Sequence, residues 1–352
     1  HLYIIGLYWG LYNPVERPDH HFNAQYFGGD PDHWFAIHHG SIPDGISGDS
    51  KRYTKIINEI ARSDMTQIEH YSRAQKYIDV DNFMEYMLVN WWMGVGDWPG
   101  NNWYGGHRSE ISPLGATPLR FFAWDGEWSW DASRGGGRGQ VHPQFRRHLH
   151  RGSLIPRIWH VLRKNSDFMM RFADLAYQNL FNAGPLQEGV AQQRWNAINA
   201  PIASAVVAES ARWGDALRNH RYPTRTRDKD WRREVDKIHG MISGNTERFI
   251  RNLRRQGYYP AIDPPEITIN ESEQTLFMKN PNDKGEIYFI RGQGDPRLSG
   301  GALNPQASKA GTEPFQAPTS DTIQARVWDG QIWSALRTLD PNQAPTMEQT
   351  AQ

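Results

Sequence analysis

The sequence predicts an α+β protein in which a mainly helical domain with a few N-terminal strands is followed by a small all-β domain. Apolar residues recur with helical spacing between residues 50 and 92 and again between residues 142 and 257. Segments rich in β-branched and aromatic residues occupy the start of the chain and the part after the stiff segment PAIDPP. We therefore predict a helical domain at residues 1–259, a linker at 260–265, a β-sandwich at 266–340 and a polar tail at 341–352.

Composition excludes several classes of function. The 39 basic and 39 acidic side chains cancel, so no overall field favours nucleic acid or anionic lipid as a partner. The chain has no cysteine, which rules out disulfides, zinc-thiolate sites and thiol nucleophiles. No window reaches the roughly 18 consecutive apolar residues of a membrane span. With 352 residues, 38% of them apolar, the chain can bury a core in each of two domains.

The N-terminal third is predicted to alternate strands and helices. The aromatic stretch Leu2–Tyr12 predicts paired strands, and a short helix is expected near residues 19–27. A strand is expected at Asp32–His39, a loop at Ser41–Gly48, and two helices at Ser50–Ser63 and Thr66–Tyr77.

A buried helix follows and organises the rest of the domain. Asp79 or Asp81 can cap its start, and Gly94 and Gly96 end it. One apolar face recurs at the helical period through Val80, Phe83, Met84, Met87, Leu88, Trp91 and Trp92.

Two carboxylates and an amide follow buried elements. Asp97 emerges just past the central helix, Asn102 lies five residues further on, and a predicted strand at Leu119–Trp124 delivers Asp125. This order and spacing are those of a protein-kinase catalytic core, where one Asp orients the attacking hydroxyl while an Asn and a second Asp hold Mg²⁺ against the phosphates. Phosphoryl transfer needs hard oxygen ligands and an anionic acceptor in line with phosphorus. Spacing alone equally fits a structural interpretation, in which Asp97 and Asn102 cap a turn and Asp125 solvates a hairpin.

The remainder of the large domain is predicted to be helical. The glycine- and arginine-rich run Ser133–Gln140 is either a surface loop or, through Arg134 and Arg138, a docking loop for an acidic substrate. Helices are expected at Phe145–His150, Leu154–Lys164, Phe168–Phe181, Val190–Arg212 and Trp231–Arg254. Glu209, Arg212 and Asp215 are expected to form a buried bridge that anchors helices, or to take a catalytic role.

Four stretches resemble the CotH kinase family, which is named for a spore coat protein. They are GLYWGLYNPVERPD, VDNFMEYMLVNWWMGVGDWPGNNWY, FFAWDGEWSW and AESARWGD, and the likeness covers about Leu2 to Pro260. It implies a secreted or surface-associated bacterial kinase of atypical type, using ATP and Mg²⁺ to phosphorylate Ser or Thr hydroxyls of proteins. Asp97 would then be catalytic, with Asn102 and Asp125 as metal ligands. The third motif reads Asp125-Gly126-Glu127, without the aromatic residue usual in kinases.

The chain opens at His1 inside a predicted strand, and we therefore expect a fragment of a longer protein. The kinase-like domain would be truncated, with the phosphate-binding lysine and glycine-rich loop upstream of His1. The nucleotide-binding residues are accordingly unknown.

The C-terminal segments Gly285–Ala307 and Ile323–Leu336 resemble the chitobiase-type, immunoglobulin-like accessory domain of secreted bacterial proteins. Asp295 and Pro296 would form its turn. The likeness implies an extracytoplasmic protein whose β-module binds a glycan or surface partner.

Three hypotheses of function remain. The first is the ATP- and Mg²⁺-dependent kinase, and the second is a non-catalytic surface or matrix assembly protein with a kinase-like scaffold. The third is a carbohydrate-active enzyme that uses Asp125 and Glu127, although the alternating βα pattern of the commonest glycosidase barrel is absent.

Overall fold

The computed structural model describes residues 1–38, 41–45, 50–130, 139, 144–216, 218–219, 223–270, 272, 275–316 and 322–340. Helices predominate up to Arg255 and strands from Glu266 onward, which confirms the α+β class. The prediction for Ser133–Gln140, with Arg134 and Arg138, lies outside the described residues except at Gly139.

The chain begins with the predicted hairpin. Strands β1 (Leu2–Ile4) and β2 (Leu7–Gly10) pair antiparallel, and helix α1 (His20–Phe27) follows with Asp19 as its N-cap. The hairpin leaves several large apolar side chains exposed, with Ile5 at the tip 99% exposed.

A four-stranded antiparallel sheet forms the second unit, in the order β4-β3-β5-β6. Its strands are β3 (Trp34–His38), β4 (Ser41–Gly45), β5 (Trp103–Arg108) and β6 (Arg120–Ala123). The loop predicted at Ser41–Gly48 is therefore wrong for its first five residues. That segment contains Pro43, which a sheet accommodates at an edge, and β4 is an edge strand.

Ten helices are described in all, and nine of them follow α1. They are α2 (Ser50–Ile60), α3 (Ile68–Tyr77), α4 (Val80–Met93), α5 (Gln144–His150), α6 (Leu154–Leu162), α7 (Ser166–Leu180), α8 (Glu188–Trp213), α9 (Arg232–Ile242) and α10 (Asn245–Arg255). The single helix predicted at Trp231–Arg254 is wrong, because the chain breaks at Gly244 with φ 64°. Glu188 holds this break by accepting hydrogen bonds from Ser243 Oγ and the Gly244 amide.

Aromatic side chains build the core around α4. Trp91 is fully buried and makes edge-on contacts with Trp98 and Trp159, with ring centroids 6.5 and 4.9 Å apart. Such pairs contribute about 0.5–1.5 kcal/mol beyond the burial of their area. The loop that carries Asp97 is thus anchored in the core on both sides of that residue, by Val95 and Trp98.

Glu209 and its neighbours do not form the predicted buried bridge. Glu209 on α8 accepts hydrogen bonds from the Leu11 amide at 2.7 Å and the Tyr8 hydroxyl at 3.2 Å, so it fastens the hairpin to the helical domain. Arg212 is exposed and lies over the Trp213 ring. The prediction failed because an acceptor near a helix end has no preferred partner type, and here backbone and phenol groups lie closest.

The C-terminal domain is a sandwich of two antiparallel sheets. One has the order β10-β9-β12-β13 and the other β11-β8-β7. Their strands are β7 (Glu266–Asn270), β8 (Thr275–Lys279), β9 (Glu286–Arg291), β10 (Ser308–Lys309), β11 (Phe315–Gln316), β12 (Ile323–Trp328) and β13 (Arg337–Leu339). Leu276 and Met278 of one sheet share a core with Phe289 and Val327 of the other.

This domain is docked on α7 through a buried arginine. Arg326 of β12 is fully buried and donates to both carboxylate oxygens of Asp174, each at 2.7 Å. It also donates to Asp295 at 2.6 and 2.7 Å, so Asp295 does more than form a turn. Asp167, near the start of α7, accepts from Arg297 and from the Gly300 amide.

Candidate active site

The end of α4 positions Asp97. The helix ends at Gly94, whose backbone lies in the left-handed region with φ 66°. The Gly94 amide donates a hydrogen bond to the Asn90 carbonyl. The Gly96 amide then donates to the Trp128 carbonyl at 2.9 Å, and the Trp130 amide donates to the Met93 carbonyl at 3.0 Å. These two bonds bring the loop that carries Asp97 against the turn that follows Asp125.

The start of α4 positions Asp125 through strand β6. Asp79 caps the helix by accepting from the Asn82 amide at 3.1 Å. The Asn82 side chain binds Phe121 of β6 twice, accepting from its amide at 2.6 Å and donating to its carbonyl at 3.2 Å. One helix therefore fixes the elements that precede both carboxylates.

Asn102 and Asp125 both have left-handed backbone conformations. Their φ angles are 62° and 56°, values that asparagine and aspartate tolerate better than most residues. Asn102 is buried, and its Nδ2 donates to the backbone carbonyl of Asp125 at 3.2 Å. In this structure Asn102 therefore holds the Asp125 turn, and its predicted role as a metal ligand stays a prediction.

Glu127 joins these residues in an acidic cluster. The pKa of Glu127 is raised above its ordinary value, mainly by a hydrogen bond to the Asp125 carboxyl and by burial, with the charges of Asp125 and Asp97 adding to the effect. Oδ1 of Asp97 is buried and has no hydrogen-bond partner among the described residues. The structure thus joins Asn102 to the Asp125 turn and places the charge of Asp97 near Glu127, while the predicted roles of Asp97, Asn102 and Asp125 stay predictions.

This arrangement suits a divalent cation. The negative charges of Asp125 and Asp97 contribute to the raised pKa of Glu127, and a bound cation would relieve this repulsion. Carboxylate and amide oxygens are the ligands that Mg²⁺ prefers. Within the described ranges, no three His, Cys, Asp or Glu side chains already surround one point closely enough to hold a metal. The carboxylates would therefore have to move together when a cation binds.

The acidic turn closes one end of a large open cleft. The cleft has a volume of about 1180 Å³, slightly above the usual range of small-molecule sites, which is about 300–1,000 Å³. Its walls come from the connector after β2, from α4, from β6 and from the α7–α8 junction, and they include Val15, Phe122, Asp125, Glu127, Leu186 and Arg194. The lining is mixed, since apolar side chains stand beside charged ones such as Glu16, Glu85 and Arg194.

Glu127 could be recognised in the sequence from its position relative to Asp125, although not from its spacing to Asp97. It stands two residues after Asp125, and residues at that separation on an extended segment share a face. In the structure a short 3₁₀ turn at Gly126–Trp128 brings it back to Asp125 instead.

The cleft is bordered by the N-terminal connector and the helical domain and is lined by the acidic turn of Asp125 and Glu127. The chain belongs to the CotH kinase family, since the family model described as CotH kinase protein matches residues 1–247. Searches against curated proteins and against solved structures each gave no match.

The match ends before the β-sandwich, so the resemblance of that domain to chitobiase-type accessory domains stays a prediction. The domain boundaries predicted at residues 259 and 266 likewise stay predictions. Of the helices that the structure describes, none combines the length and apolar character needed to cross a membrane.

Proposed function

We propose that this chain acts as an atypical protein kinase, using ATP and Mg²⁺ to phosphorylate Ser or Thr hydroxyls of secreted or surface proteins of a bacterium. The observation that supports it most is the acidic turn of Asp125 and Glu127, which lines the cleft and lies close enough to Asp97 for its charge to raise the pKa of Glu127. Family membership supports kinase-like chemistry, and the cofactors and the acceptor class belong to the proposal.

Each residue has a role in this proposal. Asp125 and Glu127 would hold Mg²⁺, which neutralises charge on the transferring phosphoryl group. Asp97 would accept the proton of the acceptor hydroxyl and orient that hydroxyl for attack. Asn102 keeps the Asp125 turn in place, and the apolar walls of the cleft accommodate the base.

Transfer of labelled phosphate from ATP to a generic protein substrate tests the proposal. We expect Asp125→Asn to lower the rate by about 100-fold or more, because it removes a metal-binding charge. Asparagine tolerates the left-handed backbone of this position, so the variant should fold. The exposed Asp283→Asn, in the β-sandwich, is the control and should keep full activity. Equal rates for wild type and Asp125→Asn would refute the proposal.

One observation favours the non-catalytic assembly protein, with a β-module that binds a partner or glycan. No metal site is preformed among the described side chains, although enzymes that transfer phosphoryl groups from ATP depend on a metal. Titration with a fluorescent ATP analogue and Mg²⁺ separates the two functions. Saturable, Mg²⁺-dependent binding of the analogue supports the kinase, whereas the absence of binding supports the scaffold.

A further inference from the structure

A second, smaller pocket lies on the loop that carries the catalytic-type residues. Its volume is about 280 Å³, the size of a site for one side chain rather than for a nucleotide. Pro99, Gly100 and Trp103 form one wall, and they lie between and next to Asp97 and Asn102 in the chain. Residues of α2 form a second wall, and the α5–α6 connection with the first turn of α6 forms a third.

Arginines supply the charge of this pocket. Arg151 and Arg157 both line it, together with the polar side chains of Asn58 and Ser153. Arg157 donates to Asn58 Oδ1 at 2.7 Å and weakly to the Gly152 carbonyl at 3.4 Å, and both acceptors are uncharged. Over the part of the chain that the structure describes, neither Arg151 nor Arg157 is paired with an Asp or Glu.

A third arginine increases the positive charge. The pKa of Arg157 is lowered, first by burial and then by the nearby charge of Arg62. Two guanidinium groups close together, without a carboxylate between them, repel each other and are stabilised when an anion binds. The fork of a guanidinium group matches a carboxylate or phosphate group in geometry as well as in charge.

We propose that this pocket binds an acidic side chain of the acceptor protein, so that the chain prefers Ser or Thr residues flanked by Asp or Glu. The inference rests on the proposed kinase function, because it assigns the pocket to the substrate of that same site. The pocket shares a wall with the catalytic-type loop through Pro99, Gly100 and Trp103, so a segment whose side chain occupies it would contact that loop.

Peptide binding tests this inference without ATP, metal or turnover. A fluorescently labelled peptide with one Ser between Glu residues is titrated with the whole chain at low salt, beside the same peptide with Gln for Glu. We expect the Glu peptide to bind at least about tenfold more tightly, and its affinity to fall as salt is raised. Arg151→Gln and Arg157→Gln should each weaken it about 5- to 10-fold.

Arg255→Gln is the matched control, because Arg255 is exposed and donates to an asparagine oxygen at 2.8 Å as Arg157 does. It should leave binding unchanged. Equal affinity for the two peptides, no binding of either, or equal loss in Arg255→Gln would overturn the inference. Arg151 is exposed, so its replacement cannot fail merely by unfolding the chain. If phosphate transfer occurs without a preference for acidic peptides, the docking inference fails while the kinase function stands.

Discussion

Asn102 combines two properties that separate substitutions can distinguish. Its backbone has φ 62°, and its amide group holds the Asp125 carbonyl. Asparagine at such a position is less strained than most residues, and glycine is not strained at all. The choice of asparagine at this position is therefore constrained by the backbone conformation, in addition to any contact with a metal.

We predict that Asn102→Gly and Asn102→Ala both impair phosphate transfer but differ in stability. Both substitutions remove the bond to the Asp125 turn. Alanine is also strained in the left-handed backbone conformation, so Asn102→Ala should be about 1 kcal/mol less stable than Asn102→Gly. Urea denaturation of the two variants measures the difference. Equal stability of the two would show that the loop relaxes when the amide is lost.

At the scale of secondary structure, the contact between α4 and β6 positions the segments that carry Asp97 and Asp125. Asn82 satisfies the amide and carbonyl of Phe121 much as a neighbouring strand would. The apolar spacing of α4 indicates a buried helix, but it does not indicate that a polar residue of its first turn would bind a strand.

We predict that Asn82→Ala lowers the free energy of unfolding by about 1–3 kcal/mol, because two backbone groups of Phe121 lose their partner. Chemical denaturation gives the value, and phosphate transfer should fall as β6 loosens. Asn199→Ala is the control, since the bond that the structure describes for the Asn199 side chain is to the Trp195 carbonyl within its own helix. A loss no larger than that of the control would contradict the role of Asn82.

The contact between α7 and the β-sandwich should respond to acid. Burial alone would raise the pKa of Asp167, but hydrogen bonds from Ser299, Gly300 and Arg297 outweigh it and lower that pKa. A lowered folded pKa means that the contribution to stability is present above the unfolded value, about 3.9, and is lost as the pH falls through the lower folded value.

We predict that Asp167→Asn removes part of the acid sensitivity of unfolding that appears as the pH falls below about 5. Denaturation midpoints at several pH values measure it. The exposed Asp283→Asn on the sandwich serves as the control and should leave the pH dependence as in wild type. If the two variants show the same dependence, Asp167 does not supply the linkage.

At the scale of the whole molecule, Arg326 joins the two domains. It has no exposed surface and binds Asp174 of α7 and Asp295 of its own domain together. Removing one member of such a group leaves carboxylates buried without a counter-charge. The two domains should therefore unfold as one cooperative unit.

We predict that Arg326→Met destabilises the protein by about 3–5 kcal/mol and separates unfolding into two transitions. Guanidinium denaturation followed by tryptophan fluorescence shows the transitions, and proteolysis near Pro260–Pro265 should become faster. Arg291→Met is the matched control, because Arg291 lies on the neighbouring strand and is exposed. A single unshifted transition in Arg326→Met would mean that apolar contacts alone hold the domains together.

The sequence by itself determined the α+β class, the bounds of most helices and strands, and the order Asp97, Asn102, Asp125. These follow from local periodicity, from capping residues such as Asp79 and from breakers such as Gly94, whose effects act within a few residues. It failed where local signals conflict, as at β4 with its proline and at the break before Gly244.

Only the tertiary structure decided how distant side chains pair. The convergence of Glu127 with Asp97, the bond from Asn82 to Phe121 and the ion pair of Arg326 with Asp174 join residues 30 to 152 positions apart. Such partners are chosen by packing and by the need to satisfy buried polar groups, and neither leaves a period or a spacing in the chain. The pattern of residues therefore fixes where the carboxylates stand in their elements, and the packed fold fixes that they meet.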